Sequence, residues 1–308
     1  MNLLFHTAGE DGRVWREALS RALPEAKLLA WPDARSSEID YALVWRPPDA
    51  LLGGLSKVKA IFNLGAGVDA LMAMHARPRG VPVIRLEDAG MAQQMAEYVV
   101  HAVLHWYREF DAYAKSQRNG AWQPRPRLRK DEFEVGILGV GVLGTAVAAA
   151  LSTFGFPLAG WSRTQKMLAG IKTFAGIGAL PAFLSRSRVL VCLLPLTPET
   201  YGLLNRDTLS KLPHGAYVVN VSRGALMVED DLLALIDSGQ LAGAMLDVFR
   251  DEPLPASHAF WHHPRVTVTP HVSAVTLVED SVAQIAAKIR RLEAGLPVGG
   301  VVDDARMY

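Results

Sequence analysis

The sequence predicts an α/β protein of two domains with parallel sheets, and three observations carry that prediction. The chain has 308 residues, half of them apolar, enough to bury a large core and long for a single domain. Short apolar runs alternate with helical stretches along most of it. A glycine-rich turn stands between one such run and the helical stretch after it, where α/β sheets bind ligands.

In chain order, the first block reads as strands at "LLFH" from Leu3, "KLLA" from Lys27, "YALVW" from Tyr41, "KAIFNL" from Lys59 and "VPVIRL" from Val81, with helical stretches at 14–23 and 68–76. Residues 91–118 hold neither Pro nor Gly and read as one long helix; "GAWQPRPRLRK" after it is too rich in Pro and Arg to continue it. The second block places strands at "VGILGV", "LAGW", "VLVCLLP", "AYVVNVS", "GAMLDVF" and "VTVTPH". Such continuous apolar strands predict a sheet covered on both faces. Residues 273–294 read as a final helix returning to the first domain, so residues 1–98 with 276–308 form one domain and 99–275 are inserted.

Composition excludes several classes of function. The 32 Lys and Arg nearly cancel the 31 Asp and Glu, which predicts small-molecule partners rather than nucleic acid or an anionic membrane. The one cysteine, Cys192, sits in an apolar run and leaves no intramolecular disulfide, as suits the cytoplasm. "MNLLFHTAGEDG" lacks the basic and apolar regions of a signal peptide. The uncharged run 136–162 is cut by glycines and Pro157 into pieces too short to span a bilayer.

"GVGVLG", from Gly139 through Gly141, Val142 and Leu143 to Gly144, follows a strand and opens a helix. Its glycines permit a tight turn and close approach of a pyrophosphate, held on N–H groups at the helix start. About twenty residues on, an NAD site would show an acid for the ribose 2′-OH. This sequence has "WSRTQK" instead: Ser162, Arg163, Thr164 and Lys166 suit a 2′-phosphate, which predicts NADPH as the preferred cofactor and NADH as the weaker one. One charged hydrogen bond of about 1.5 to 3 kcal/mol gives roughly ten- to a hundredfold preference. The plainer reading of Arg163 is a solvated cation at a strand end.

Three later strand ends carry charge: Arg223 in "NVSRG", Asp247 with Glu252 in "LDVFRDEP", and His271 in "VTVTPH". Past the C-terminal ends of parallel strands such residues converge on the ligand crevice. At such a crevice Arg223 is a cation able to bind and polarise an anionic ligand, and His271 is a candidate general acid whose imidazolium a carboxylate, Glu252, would favour. A capping histidine and a surface ion pair are the plainer alternatives.

Together with the glycine turn, these residues resemble the D-2-hydroxyacid dehydrogenases, in particular their glyoxylate/hydroxypyruvate reductase A subgroup. The likeness runs from "VWRPP" through "NLGAGVD", "EDAGMAQQMAEYV", "WSRT", "LLPLTPET" and "WHHPRVTVTPH" to the terminal "ARMY", most of the chain. It implies two Rossmann-like domains, one flavodoxin-like and one dinucleotide-binding, with a cleft between them that closes over substrate, and a homodimer. It assigns catalysis to Arg223, Glu252 and His271, implies that Leu194, Pro195 and Thr200 line the cofactor, and brings Asp247 to the nicotinamide amide. Gly65, Ala66 and Gly67 read as a loop opening a helix, whose N–H groups would hold the substrate carboxylate as in similar enzymes; a simple turn is the alternative. Trp45 and Arg46 would close the substrate end, or be a packed Trp beside a surface Arg. The implied reaction is NADPH-dependent reduction of glyoxylate and hydroxypyruvate; another 2-oxo acid such as phenylpyruvate, or a dinucleotide-sensing module without catalysis, are the rivals.

His101 and His105 share the i, i+4 spacing of a metal pair but lack an intervening Glu and a third ligand, so no metal site is predicted. His262 with His263 and the cations of "RPRLRK" read as loop residues.

Overall fold

The computed structural model describes residues 1–8, 12–33, 35–55 and 57–308, without the side chain of Ser36. The chain divides into two compact units, Met1–Met91 with Thr276–Tyr308, and Ala92–Val275.

The first unit begins with β1 (Asn2–Thr7), α1 (Gly12–Ala22), β2 (Lys27–Ala30), β3 (Tyr41–Trp45), α2 (Asp49–Gly53), β4 (Ala60–Asn63), α3 (Asp69–Met72) and β5 (Val83–Ile84). Among the described residues its strands run in the order β2-β1-β3-β4-β5, all parallel. The order reverses between β1 and β3, as in flavodoxin-like sheets, and a ligand crevice belongs at the C-terminal ends of those strands. In α1, Trp15, Ala18 and Leu19 are buried, spaced as one face of a helix requires.

The second unit holds α4 (Met91–Tyr107), α5 (Phe110–Arg118), β6 (Val135–Leu138), α6 (Val142–Ser152), β7 (Leu158–Ser162), β8 (Lys172–Ala175), α7 (Leu180–Leu184), β9 (Val189–Cys192), α8 (Arg206–Leu209), β10 (Ala216–Asn220), α9 (Glu229–Asp237), β11 (Leu241–Leu246) and β12 (Val266–Val268). The order β8-β7-β6-β9-β10-β11-β12, all parallel, is the doubly wound order of dinucleotide-binding sheets with a further edge strand. Ile137, Val191, Val219 and Met245 face α4 and α6, while Leu138, Leu190, Val218 and Leu246 face the side of α7 and α9. Apolar residues on both faces make these strands read as continuous hydrophobic runs.

The fold is the predicted one, with local differences. The expected single helix over 91–118 is broken at Glu109, whose φ of 55° is left-handed. The Glu109 carboxylate pairs with Arg125 at 2.7 Å, and α5 buries no residue, so nothing on its face draws it into line with α4. The helix expected over 68–76 is only the single turn of α3, and the one expected from Ser273 starts at Val278. β8 escaped the sequence reading because it is a short, half-buried edge strand with only two apolar residues.

The chain then returns to the first unit as α10 (Val278–Glu293), burying Val282, Ile285, Ala286 and Ile289. The buried Lys288 donates to the Arg85 carbonyl at 3.0 Å and pairs with Glu87 at 3.1 Å. Val301 bridges Ile84 in antiparallel sense and covers the β5 edge. Among the described residues, no helix is long and apolar enough to cross a membrane.

Candidate active site

Chain reversal at β6 places the glycine turn at the switch point of the second sheet. Gly139 has a φ of 99°, and a Cβ there would lie 2.7 Å from the Leu193 carbonyl oxygen. At Gly144 a Cβ would come 2.0 Å from the Gly139 carbonyl oxygen, so α6 lies directly on the turn. Gly141 differs: a Cβ there would meet no protein atom within 4 Å. Its open face, with Val142 and Leu143 beginning α6, suits the approach of a pyrophosphate to the helix N-terminus.

Beyond β7, Arg163 and Thr164 are exposed, and the Ser162 hydroxyl donates to the Thr164 carbonyl at 2.8 Å. Lys166 reaches back, its Nζ donating to the Val140 carbonyl at 2.7 Å, so its ammonium stands against the glycine turn. The Glu199 carboxyl sits below the ordinary carboxylate range, chiefly through its hydrogen bond with Thr197 and in part through the charge of Arg163. The cations Arg163 and Lys166 beside the glycine turn suit a 2′-phosphate.

The loop after β9 holds Leu194, Pro195 and Thr200. The Thr200 hydroxyl is engaged within this loop, donating to the Pro195 carbonyl at 2.7 Å and accepting from the Thr197 N–H at 2.8 Å. Ser222, which the sequence reading passed over, donates to the Leu194 carbonyl and ties this loop to that of Arg223.

Arg223, Asp247 and His271 follow β10, β11 and β12, so parallel pairing brings their loops to one edge of the sheet. Arg223 is half-buried, its Nη1 donating to the Ser222 carbonyl at 2.7 Å. Behind it, Gly224 lies so close to the neighbouring loop that a Cβ would stand 1.8 Å from the Phe249 carbonyl carbon. This backbone contact sets the Arg223 turn against the loop that carries Glu252. A glycine directly after a charged strand end was the available signal for it.

His271 Nδ1 lies 2.8 Å from Glu252 Oε2, and Glu252 Oε1 accepts the Phe249 N–H at 2.9 Å. Burial pushes the Glu252 carboxyl up, but the bonds from His271 and Phe249 and the charges of His271 and Arg223 outweigh it and hold it below the ordinary range. An ionised carboxylate only accepts, so Nδ1 carries the proton it donates and Nε2 is left for a ligand. Asp247 is fully buried and accepts from the Thr269 hydroxyl at 2.6 Å and from the Val272 and Ser273 N–H groups at 2.8 Å each.

In the first unit, the end of β3 and the loop after β4 form a second cluster. The Arg46 guanidinium lies 5.7 Å from the centroid of the Trp45 ring, and Arg46 has a left-handed φ of 45°. The Trp45 ring covers Gly65, where a Cβ would fall 2.6 Å from Cζ3. Asn63 Nδ2 donates to the Gly65 carbonyl at 2.9 Å and the Gly67 carbonyl at 3.0 Å, folding the loop through Ala66. As a lone polar residue ending an apolar strand, Asn63 was legible but unread. His6 adjoins this cluster: burial holds its imidazole below the ordinary range against a hydrogen bond with the Arg46 backbone.

His105 Nε2 lies 2.6 Å from Asp111 Oδ1 and His263 Nε2 lies 3.1 Å from Asp237 Oδ1. Arg125 and Arg129 of the basic run pair with Glu109 and Asp131.

Residues 100–273 match the family model for the NAD binding domain of D-isomer specific 2-hydroxyacid dehydrogenases. Three similar solved structures each cover 100% of this chain and 99% of their own. One is a D-isomer specific 2-hydroxyacid dehydrogenase from Xanthobacter autotrophicus in complex with NADPH and MES, at 42% identity and a TM-score of 0.95. Another is an NADPH-dependent glyoxylate/hydroxypyruvate reductase from Sinorhizobium meliloti in complex with NADP and sulfate, at 35% identity and 0.92. The third is a probable 2-hydroxyacid dehydrogenase from Rhizobium etli in complex with NADP, HEPES and L(+)-tartaric acid, at 32% identity and 0.93.

Proposed function

Because this chain belongs to the D-isomer specific 2-hydroxyacid dehydrogenases and is an NAD(P)-dependent oxidoreductase, we propose that it uses NADPH to reduce small 2-oxo acids, glyoxylate to glycolate and hydroxypyruvate to D-glycerate. The observation that carries this reading is the 2.8 Å bond between His271 and Glu252 in a loop cluster shared with Arg223. When bound, the reduced nicotinamide supplies a hydride to the carbonyl carbon. Arg223 binds the substrate carboxylate and polarises the carbonyl through charge-assisted hydrogen bonds. His271, oriented through Nδ1 by Glu252, presents a proton at Nε2 to the oxygen as it becomes an alkoxide. Such an acid contributes about 10² to 10⁴ in rate.

Residues 99–275 are the cofactor domain in this reading, with the pyrophosphate on the Gly139–Gly144 turn, the 2′-phosphate on Arg163, Thr164 and Lys166, and Leu194, Pro195 and Thr200 along the dinucleotide. Residues 1–98 with 276–308 are the substrate domain, where Trp45, Arg46 and the N–H groups of Gly65, Ala66 and Gly67 hold the substrate. Asp247 takes its part at the nicotinamide end. The exposed Phe110, Tyr113 and Trp122 on and after α5 support a homodimer built there, and the single buried, unpaired cysteine suits the cytoplasm.

Initial rates with glyoxylate, hydroxypyruvate, pyruvate and phenylpyruvate, each with NADPH and NADH, test the proposal. Fast turnover of the first two with NADPH, lost in His271→Ala while NADPH binding is kept, is the expected result. Turnover confined to phenylpyruvate would move the substrate, and tight NADPH binding with no turnover of any acid would leave a dinucleotide-sensing module.

A further inference from the structure

We infer that Tyr98 and Thr269 are positioning residues for His271, fixing through the buried carboxylate of Asp247 the backbone turn that carries the imidazole. The inference rests on the reading of His271 as the proton donor. It begins with the backbone: His271 has a φ of 56°, the left-handed region that a non-glycine residue holds only when its surroundings impose it. The His271 N–H donates to the Asp247 carbonyl at 2.9 Å, and the next two N–H groups, of Val272 and Ser273, both donate to the Asp247 carboxylate at 2.8 Å. One buried residue thus grips three consecutive amides around the imidazole.

The orientation of that carboxylate has its own support. Thr269 Oγ1 lies 2.6 Å from Asp247 Oδ1 and 2.6 Å from the Tyr98 hydroxyl. The single Thr269 hydroxyl proton goes to Asp247 Oδ1, so Tyr98 must donate to Thr269. The chain Tyr98 to Thr269 to Asp247 is therefore directional, running from α4 through the end of β12 to the loop after β11. Burial pushes the Tyr98 phenol up to about 12, against the Thr269 bond and with the Asp247 charge, so it stays a donor throughout the neutral range. None of these groups touches the Nδ1 or Nε2 of His271; they act on where the ring stands.

Thr269→Val keeps the shape and removes the hydroxyl. With glyoxylate and NADPH, kcat should fall about ten- to a hundredfold, as expected for a misplaced reacting group, while the KM for glyoxylate moves by less than about threefold. Tyr98→Phe should move kcat in the same direction by less, and Thr269→Ser should restore it. In parallel, the His271 Nδ1–H proton resonance, assigned with His271→Ala, should shift or broaden in Thr269→Val and return in Thr269→Ser. Wild-type kcat with an unchanged resonance in both Thr269→Val and Tyr98→Phe would overturn the inference, as would a loss in Thr269→Val that Thr269→Ser does not rescue. Should Thr269→Val fail to fold, Tyr98→Phe, which loses a single oxygen, decides by the same two readouts. The resonance needs no turnover, so an enzyme inactive on every 2-oxo acid would sink the function proposed above and still leave the positioning role decided.

Discussion

Glu252 shows how one side chain's chemistry follows from its partners. Its carboxyl is held below the ordinary value of 4.5, so its stabilising contribution is complete above that value and is lost as the pH falls through the lowered one. Glu252→Gln should therefore melt below wild type at pH 7, with the difference closing in thermal scans as the pH falls below 4.5 and through the lowered value. Its kcat should fall as well, since an amide no longer holds Nδ1–H of His271 with a charge. At Arg163, truncation to Ala should raise the KM for NADPH about ten- to a hundredfold and leave that for NADH little changed. Equal effects on both cofactors would show that Arg163 does not read the phosphate. Glu252 and His271 were legible as strand-end residues, but their bond was not, because a strand end says where a residue emerges and not which way its side chain turns.

Between elements, close backbone approach does what side chains do elsewhere. Two glycines separate the two uses of that approach. A methyl at Gly224 would drive the Arg223 turn off the Phe249 backbone; Gly224→Ala should cost about 1–3 kcal/mol of stability and at least a tenfold loss of kcat/KM. A methyl at Gly141 meets nothing of the chain, so Gly141→Ala should melt like wild type and bind NADPH more weakly, read by calorimetry. The glycine turn was legible because strand, turn and helix are contiguous. The contact that Gly224 makes was not, because Phe249 lies on another strand's loop. The break at Glu109 was hidden for a related reason: no Pro or Gly marks it, and the Arg125 that pairs with Glu109 comes from beyond the helix.

At the scale of the molecule, the first unit is assembled from both ends of the chain. Tyr41 and Lys59 each donate to Glu293 at 2.7 Å, and the Glu293 carboxyl is held below its ordinary range chiefly by the bond from Lys59. After α10, the Val302 N–H donates to the Val83 carbonyl at 2.8 Å and the Arg85 N–H to the Gly300 carbonyl at 2.9 Å. Removing residues 296–308 would expose the β5 edge, so the truncated protein should melt lower and self-associate in light scattering, as uncovered edge strands do. The sequence by itself determined the α/β class, the two parallel sheets, the glycine turn and the strand-end residues nominated for chemistry. These rest on local period, on turn residues and on the rule that parallel strands present their C-terminal ends together. Only the tertiary structure decided that Asp247 grips the amides around His271 and that Gly224 seats one loop on another. Each is a contact between segments distant in the chain, set by the orientation of side chains and the approach of backbones, which no local pattern encodes.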